Sequence, residues 1–164
     1  MNGYELGEFK NTIIRKLIQD ENVRRLVDPH DECEYEDDLI YKHIFPFGRV
    51  PGTEEEVRTY ITVKAHVPSI SPRNDTIRNV RIEIRVYAHH DMMRVPGESM
   101  DRIDLLGAII DSMINEQMYL GIGPVRLESS SEHILDAKHS YREMFFRTDD
   151  INGKREGVRQ WEQS

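Results

Sequence analysis

Two segments with strict period-2 alternation constrain this chain more than any other feature. Val57, Thr59, Ile61, Val63, Ala65 and Val67 alternate with Arg58, Tyr60, Thr62, Lys64 and His66. Val80, Ile82, Ile84, Val86 and Ala88 alternate with Asn79, Arg81, Glu83, Arg85 and Tyr87. Successive side chains of a strand point to opposite faces, so each segment has one apolar and one polar face. Such strands pair antiparallel and must bury the apolar face against something else. Residues 68–75 join them through a turn-rich stretch, Pro68-Ser69-Ile70-Ser71-Pro72-Arg73-Asn74-Asp75, too long for a tight hairpin.

Two stripes at helical spacing supply the cover. Leu6, Phe9, Ile13, Ile14, Leu17 and Ile18 recur at three- and four-residue steps, and Val23 and Leu26 extend the stripe beyond a break offered by Asp20-Glu21-Asn22. Asp28-Pro29 ends it. Ile103, Leu106, Ile109, Ile110, Met113 and Ile114 form the second stripe, with Ser99 as the expected N-cap, Asp101 in the first turn and an end near Met118. Gly121-Ile122-Gly123-Pro124 then leads into a strand over residues 125–128. Residues 129–139 read as a loop or as a short helical turn around Ile134 and Leu135. Residues 140–148, with Tyr141, Met144, Phe145 and Phe146, read as a last strand. Residues 39–47 read as a short strand or as a hydrophobic loop folded back onto the core. The expected fold is α+β: an antiparallel sheet of about four to five strands with two main helices packed on one face. It forms a single domain over residues 1–150, with a long acidic excursion at 28–56 and a polar C-terminal tail at 151–164.

Charge narrows the function. The 164 residues carry 22 Lys+Arg against 30 Asp+Glu, a net charge of −8, which argues against a basic nucleic-acid clamp. Residues 28–38 hold seven acidic side chains and no Lys or Arg, which predicts a solvated excursion because unpaired carboxylates are costly to bury. Glu54, Glu55 and Glu56 add a second acidic run. The single cysteine, Cys33, excludes an internal disulfide and any four-cysteine zinc site. No apolar run approaches the roughly 18–20 residues of a membrane span, so no membrane partner is expected. The N-terminus lacks the basic-then-apolar pattern of a secretory signal, and a reducing cytoplasm is the expected compartment.

No catalytic motif stands out. His89-His90-Asp91 follows a strand directly, but adjacent strand residues face opposite ways, so two imidazoles there do not readily share an ion. His30-Asp31-Glu32-Cys33 is a second group of ligand types in a loop whose charge density already explains its carboxylates. Ser129-Ser130-Ser131 with His133 and Asp136 lacks a nucleophile elbow, and Gly121-Ile122-Gly123-Pro124 follows a helix rather than a strand. No catalytic residue, cofactor or metal is expected. The residues singled out are for interaction: Arg58, Lys64, Arg81 and Arg85 on the polar strand faces, Asp37 and Asp38 in the acidic stretch, and Trp161 in the tail. The basic set is either a solvated face with cross-strand charge pairs or a surface that meets the acidic stretch of a second copy.

The chain resembles the small neck proteins of tailed bacteriophages, in particular the tail-terminator or tail-completion group. The N-terminal helix, "VRIEIRVYAHHDMM", "RIDLLGAIIDSMIN", "GIGPVRLESS" and "YREMFFRTDDIN" carry the resemblance, over about residues 4–152. It implies a homo-oligomeric ring, commonly a hexamer, that caps the tail tube and joins it to the head in the virion after assembly in the host cytoplasm. The implied partners are further copies of itself, the tail tube protein, a head-closure or connector protein, and genomic DNA passing through the lumen without specific binding. The family has no catalytic residues to carry over. A head-closure (stopper) protein or another connector component is the alternative reading, and a metal-dependent enzyme built on His89, His90 and Asp91 is a third.

Overall fold

The computed structural model describes residues 3–52, 57–67, 70–71, 74–117 and 124–151. Met118, the Gly121–Gly123 turn, Glu54 to Glu56 and Trp161 therefore lie outside the described residues. Helix α1 (Gly3–Gln19) and helix α2 (Glu21–Val27) share the first apolar stripe. The chain breaks between them because the Asp20 carboxylate caps α2, accepting the N–H groups of Asn22 and Val23 at 2.9 Å each. A 3-10 turn (Glu36–Leu39) leads to strand β1 (Ile44–Phe45). Strands β2 (Thr59–His66), β3 (Ile70–Ser71) and β4 (Asn74–His89) follow. After a 3-10 turn (His90–Met92) come helix α3 (Arg102–Ile114) and strands β5 (Arg126–Ile134) and β6 (His139–Ile151).

The fold is α+β, with the helices packed against a mixed sheet of order β1-β2-β4-β6-β5. Among the described strands the pairings are antiparallel except that of β1 with β2, and β3 pairs with β4 off the main path. The two alternating segments are neighbours in register, with Ile61 opposite Val86 and Val63 opposite Ile84. Their apolar faces meet the helices in one core. Phe9, Ile13 and Leu17 of α1 and Ile103, Leu106 and Ile110 of α3 are fully buried with Ile61, Val63, Ile82, Ile84 and Phe146. Burying a side chain of this size stabilises by about 1.5–3 kcal/mol, so this layer holds the fold together.

Three expectations need correction. Residues 129–134 are neither loop nor helical turn but most of β5, which hydrogen-bonds to β6 with a bulge between Leu127 and Ser129. Almost every side chain of β5 is exposed, so an edge strand of this kind has no apolar alternation to read. The hairpin into β6 closes over Asp136, whose carboxylate accepts the N–H groups of Lys138 and His139 at 2.8 Å each. Second, Asp101 rather than Ser99 caps α3, accepting the N–H of Asp104 at 3.1 Å, and the helix ends at Ile114. Third, residues 28–38 are not solvated throughout: Asp28 and Cys33 are buried, although Asp31, Glu32, Glu34, Glu36 and Asp37 are exposed. Burial is tolerable at Asp28 because backbone donors meet its carboxylate, as described below.

Candidate functional site

The sheet face turned away from the helices carries the polar residues of the alternating strands. Lys64 of β2, Arg81 and Arg85 of β4, and Glu143 and Arg147 of β6 fall on it by register. Lys64 Nζ lies 3.1 Å from Glu83 Oε2, and Arg85 Nη2 lies 2.7 Å from Glu143 Oε2. Arg85 Nε is 2.8 Å from Glu83 Oε1, but the N–H points off that axis, so this contact is an ion pair without a hydrogen bond. Burial works against the Arg85 guanidinium, yet its bond to Tyr87 and the charges of Glu83 and Glu143 outweigh it and hold the group more firmly protonated than usual. Farther along, Arg81 pairs with Glu128 at 3.2 Å, and Arg147 reaches Asn79 at 2.6 Å and Asp149 at 3.3 Å.

The other end of this face is aromatic. Phe45, Tyr60 and Tyr87 form a small buried cluster, Tyr141 packs on Tyr87 at 5.0 Å, and the Arg49 guanidinium lies 4.5 Å over Phe45 and 4.9 Å over Tyr60. The structure thus brings Lys64, Arg81 and Arg85 together and gives each a carboxylate from its own chain. Arg58 stands apart just before β2, where its carbonyl accepts the His89 N–H at 3.3 Å. Asp37 and Asp38 belong to a different element, the 3-10 turn, and the Asp38 carboxylate accepts the Tyr35 N–H at 2.9 Å.

That turn belongs to a second arrangement that sequence reasoning missed. Asp31 adopts a left-handed backbone (φ 53°), which a short polar side chain tolerates, and the chain folds back over the end of α2. The Asp28 carboxylate then accepts the N–H groups of Glu32 at 3.0 Å and Cys33 at 2.8 Å. Burial raises its proton affinity, but these two N–H groups and nearby His43 more than compensate and hold it below the usual carboxylate range. Cys33 is buried, and burial together with Asp28 pushes its thiol up. Its carbonyl accepts from Arg24 Nη2 at 2.6 Å. His43, also buried, enters from the turn before β1 with Nδ1 3.0 Å from the Thr59 carbonyl. Among the described residues, Asp28, Cys33 and His43 are the group of three ligand-type side chains that could meet at one ion. His30, the sequence neighbour of Cys33, is exposed. Nothing local marks His43, ten residues from Cys33, as its companion.

His89 and His90 engage different partners. The His89 Nδ1 accepts the Asp91 N–H at 3.0 Å and its ring meets His139 edge-on at 5.0 Å, whereas His90 Nε2 lies 3.0 Å from Ser140 Oγ. Among the described residues no helix is long and apolar enough to cross a membrane.

The model of one protein family, YomW, matches residues 11–148, from within α1 to near the end of β6. The chain belongs to the YomW family. YomW is a phage-derived family, so this is a phage-type protein, as the resemblance implies at that coarser level. No curated protein matches the chain. The span matched to YomW contains Lys64, Arg81, Glu83, Arg85 and Glu143 of the charged sheet face and the buried Asp28, Cys33 and His43.

Proposed function

We propose that this YomW-family protein is a non-enzymatic structural protein of a phage neck, a tail terminator. Its copies form a ring, with six the expected number, that caps the tail tube and joins it to the head. The observation that carries the reading is strand β5. It lies at the edge of the sheet, nine residues long and exposed along nearly its whole length. Unpaired strand edges are templates for another chain, so β5 offers a ready seam for the next subunit or for the tube protein. Subunits joined head-to-tail through unlike surfaces close into a ring when their rotation closes.

The charge map supports the same reading. Lys64, Arg81 and Arg85 each meet a carboxylate of their own chain, whereas the carboxylates of Asp31, Glu32, Glu34, Glu36 and Asp37 stand exposed as an acidic surface. A lumen lined by such charge repels phosphate and lets genomic DNA slide through without being held. The partners are then further copies, the tail tube protein and a head-closure or connector protein, in a virion assembled in the host cytoplasm.

The test is a phage deleted for this protein, together with the native mass and electron-microscope class averages of the purified chain incubated with tail tubes. Overlong or unjoined tails and ring-shaped averages are expected. Normal tails with DNA leaking from filled heads would reassign the protein to head closure, and normal virions would refute a neck role.

A further inference from the structure

Asp28, Cys33 and His43 sit 5%, 1% and 4% exposed, and one carboxylate oxygen, the sulfur and one ring nitrogen lie within 4.8 Å of one another. We propose that they bind a single divalent transition-metal ion of the zinc type, which staples the acidic turn to the end of α2 and the start of the sheet. The three residues come from three separate places: the C-cap of α2, the turn, and the approach to β1.

The donor set selects the metal. A thiolate with an imidazole suits zinc and excludes magnesium and calcium, which take oxygen ligands. The geometry is close to what one ion needs. Bonds of about 2.0–2.3 Å in a tetrahedron place ligand atoms about 3.3–3.8 Å apart, a short contraction from the present spacing. The surroundings orient the ligands as those of metal sites do. The carbonyl of Thr59 can only accept, so His43 Nδ1 is the donor, and in the neutral ring Nε2 carries the lone pair a metal requires. Each Asp28 oxygen accepts one backbone N–H and keeps a further lone pair. The Asp38 carbonyl, 3.6 Å from the Cys33 sulfur, is an oxygen at hand for a fourth position.

Charge balance favours occupancy. Without a cation, a Cys33 thiolate would lie beside the Asp28 carboxylate in a buried site, where two unpaired anions are costly. A divalent ion neutralises both anions: the metal–sulfur bond forms, the S–H bond breaks, and one proton leaves to solvent. Burial from solvent marks the site as structural, outside the DNA-facing role proposed above.

The test uses the full chain expressed in zinc-supplemented medium. Metal is counted by plasma mass spectrometry after desalting, and chelator-treated protein is then titrated with Co2+. Close to one metal per chain is expected. Cobalt should give a thiolate-to-metal charge-transfer band, tetrahedral ligand-field bands and release of one proton per ion. Cys33→Ser should lose the charge-transfer band, and His43→Gln should weaken binding by more than the roughly 10–100-fold that loss of an outer-shell partner costs. Should Cys33→Ser fail to fold, the wild-type band and proton count decide alone. No uptake by wild type, uptake without the band, or equal uptake by folded Cys33→Ser through exposed carboxylates would overturn the proposal.

Discussion

Replacing Arg102 by methionine tests how three elements are tied together at the top of α3. Arg102 is 4% exposed, and its Nε and Nη1 donate to the carbonyls of Met92 and Leu26, at 2.6 Å each. Leu26 lies in the last turn of α2, where carbonyls have no partner inside the helix. One guanidinium therefore joins α2, the turn at His90–Met92 and the start of α3. Hydrogen bonds to a charged group contribute about 1.5–3 kcal/mol each, so losing two removes about 3–6 kcal/mol. Two effects reduce that sum. Burial lowers the proton affinity of Arg102, a desolvation cost that methionine escapes. Arg102 and Leu26 also line a cleft of about 890 Å3, through which water can reach the abandoned carbonyls. The expected net loss is about 2–4 kcal/mol, or about 5–15 °C in Tm for a chain of this size. Urea and thermal unfolding followed by circular dichroism measure it. Arg102→Lys should lose about half as much, since one ammonium cannot fork to both carbonyls as the guanidinium does. The exposed Arg94→Met should stay within about 0.5 kcal/mol. An Arg102→Met variant as stable as wild type, or an Arg94→Met variant equally damaged, would refute the reasoning.

Other outcomes follow from the same contacts. Asp28 is held below its ordinary value of 3.8, so the unfolded chain binds its proton first as pH falls. In chelator-treated protein its stabilisation should be intact above about pH 4 and lost as pH drops through the depressed folded value, and Asp28→Asn should flatten that part of the acid-unfolding curve. Glu83, with 8% of its side chain exposed, holds both Lys64 and Arg85, so Glu83→Ala should cost about 1–3 kcal/mol in urea unfolding. Lys64→Ala, at the 42%-exposed end, should cost about 1 kcal/mol or less. Asp20→Ala and Asp101→Ala should each cost about 1 kcal/mol through their lost caps, whereas Ser99→Ala should be close to neutral by the same measurement.

What could be read in advance followed the local period of burial. Ile61 and Ile84 lie on strands whose apolar residues share one face, and Phe9, Ile13 and Leu17 on a helix with one dry stripe, so their partners' existence is written in their spacing, whereas the burial of Tyr60, Thr62, Glu83 and Tyr87 on the opposite sheet face is not. Residues 129–134 of strand β5 escaped, beyond the stretch 125–128 read as a strand, because their side chains are exposed on both faces; backbone hydrogen bonds to β6 hold them, and these leave no mark on residue type. Ser99 and Asp101 are both capping residues by type, and the choice between them depended on how the preceding turn approached α3.

The sequence by itself determined the α+β class, the central strand pair and the helical stripes, because hydrophobic burial acts on every residue with a period set by the local backbone. Only the tertiary structure decided that Lys64, Arg81 and Arg85 meet carboxylates of their own chain. The same holds for a carboxylate, a thiol and an imidazole converging beneath an acidic turn. Electrostatic partners and ligand sets depend on distances between segments far apart in the chain, and no periodicity encodes those distances.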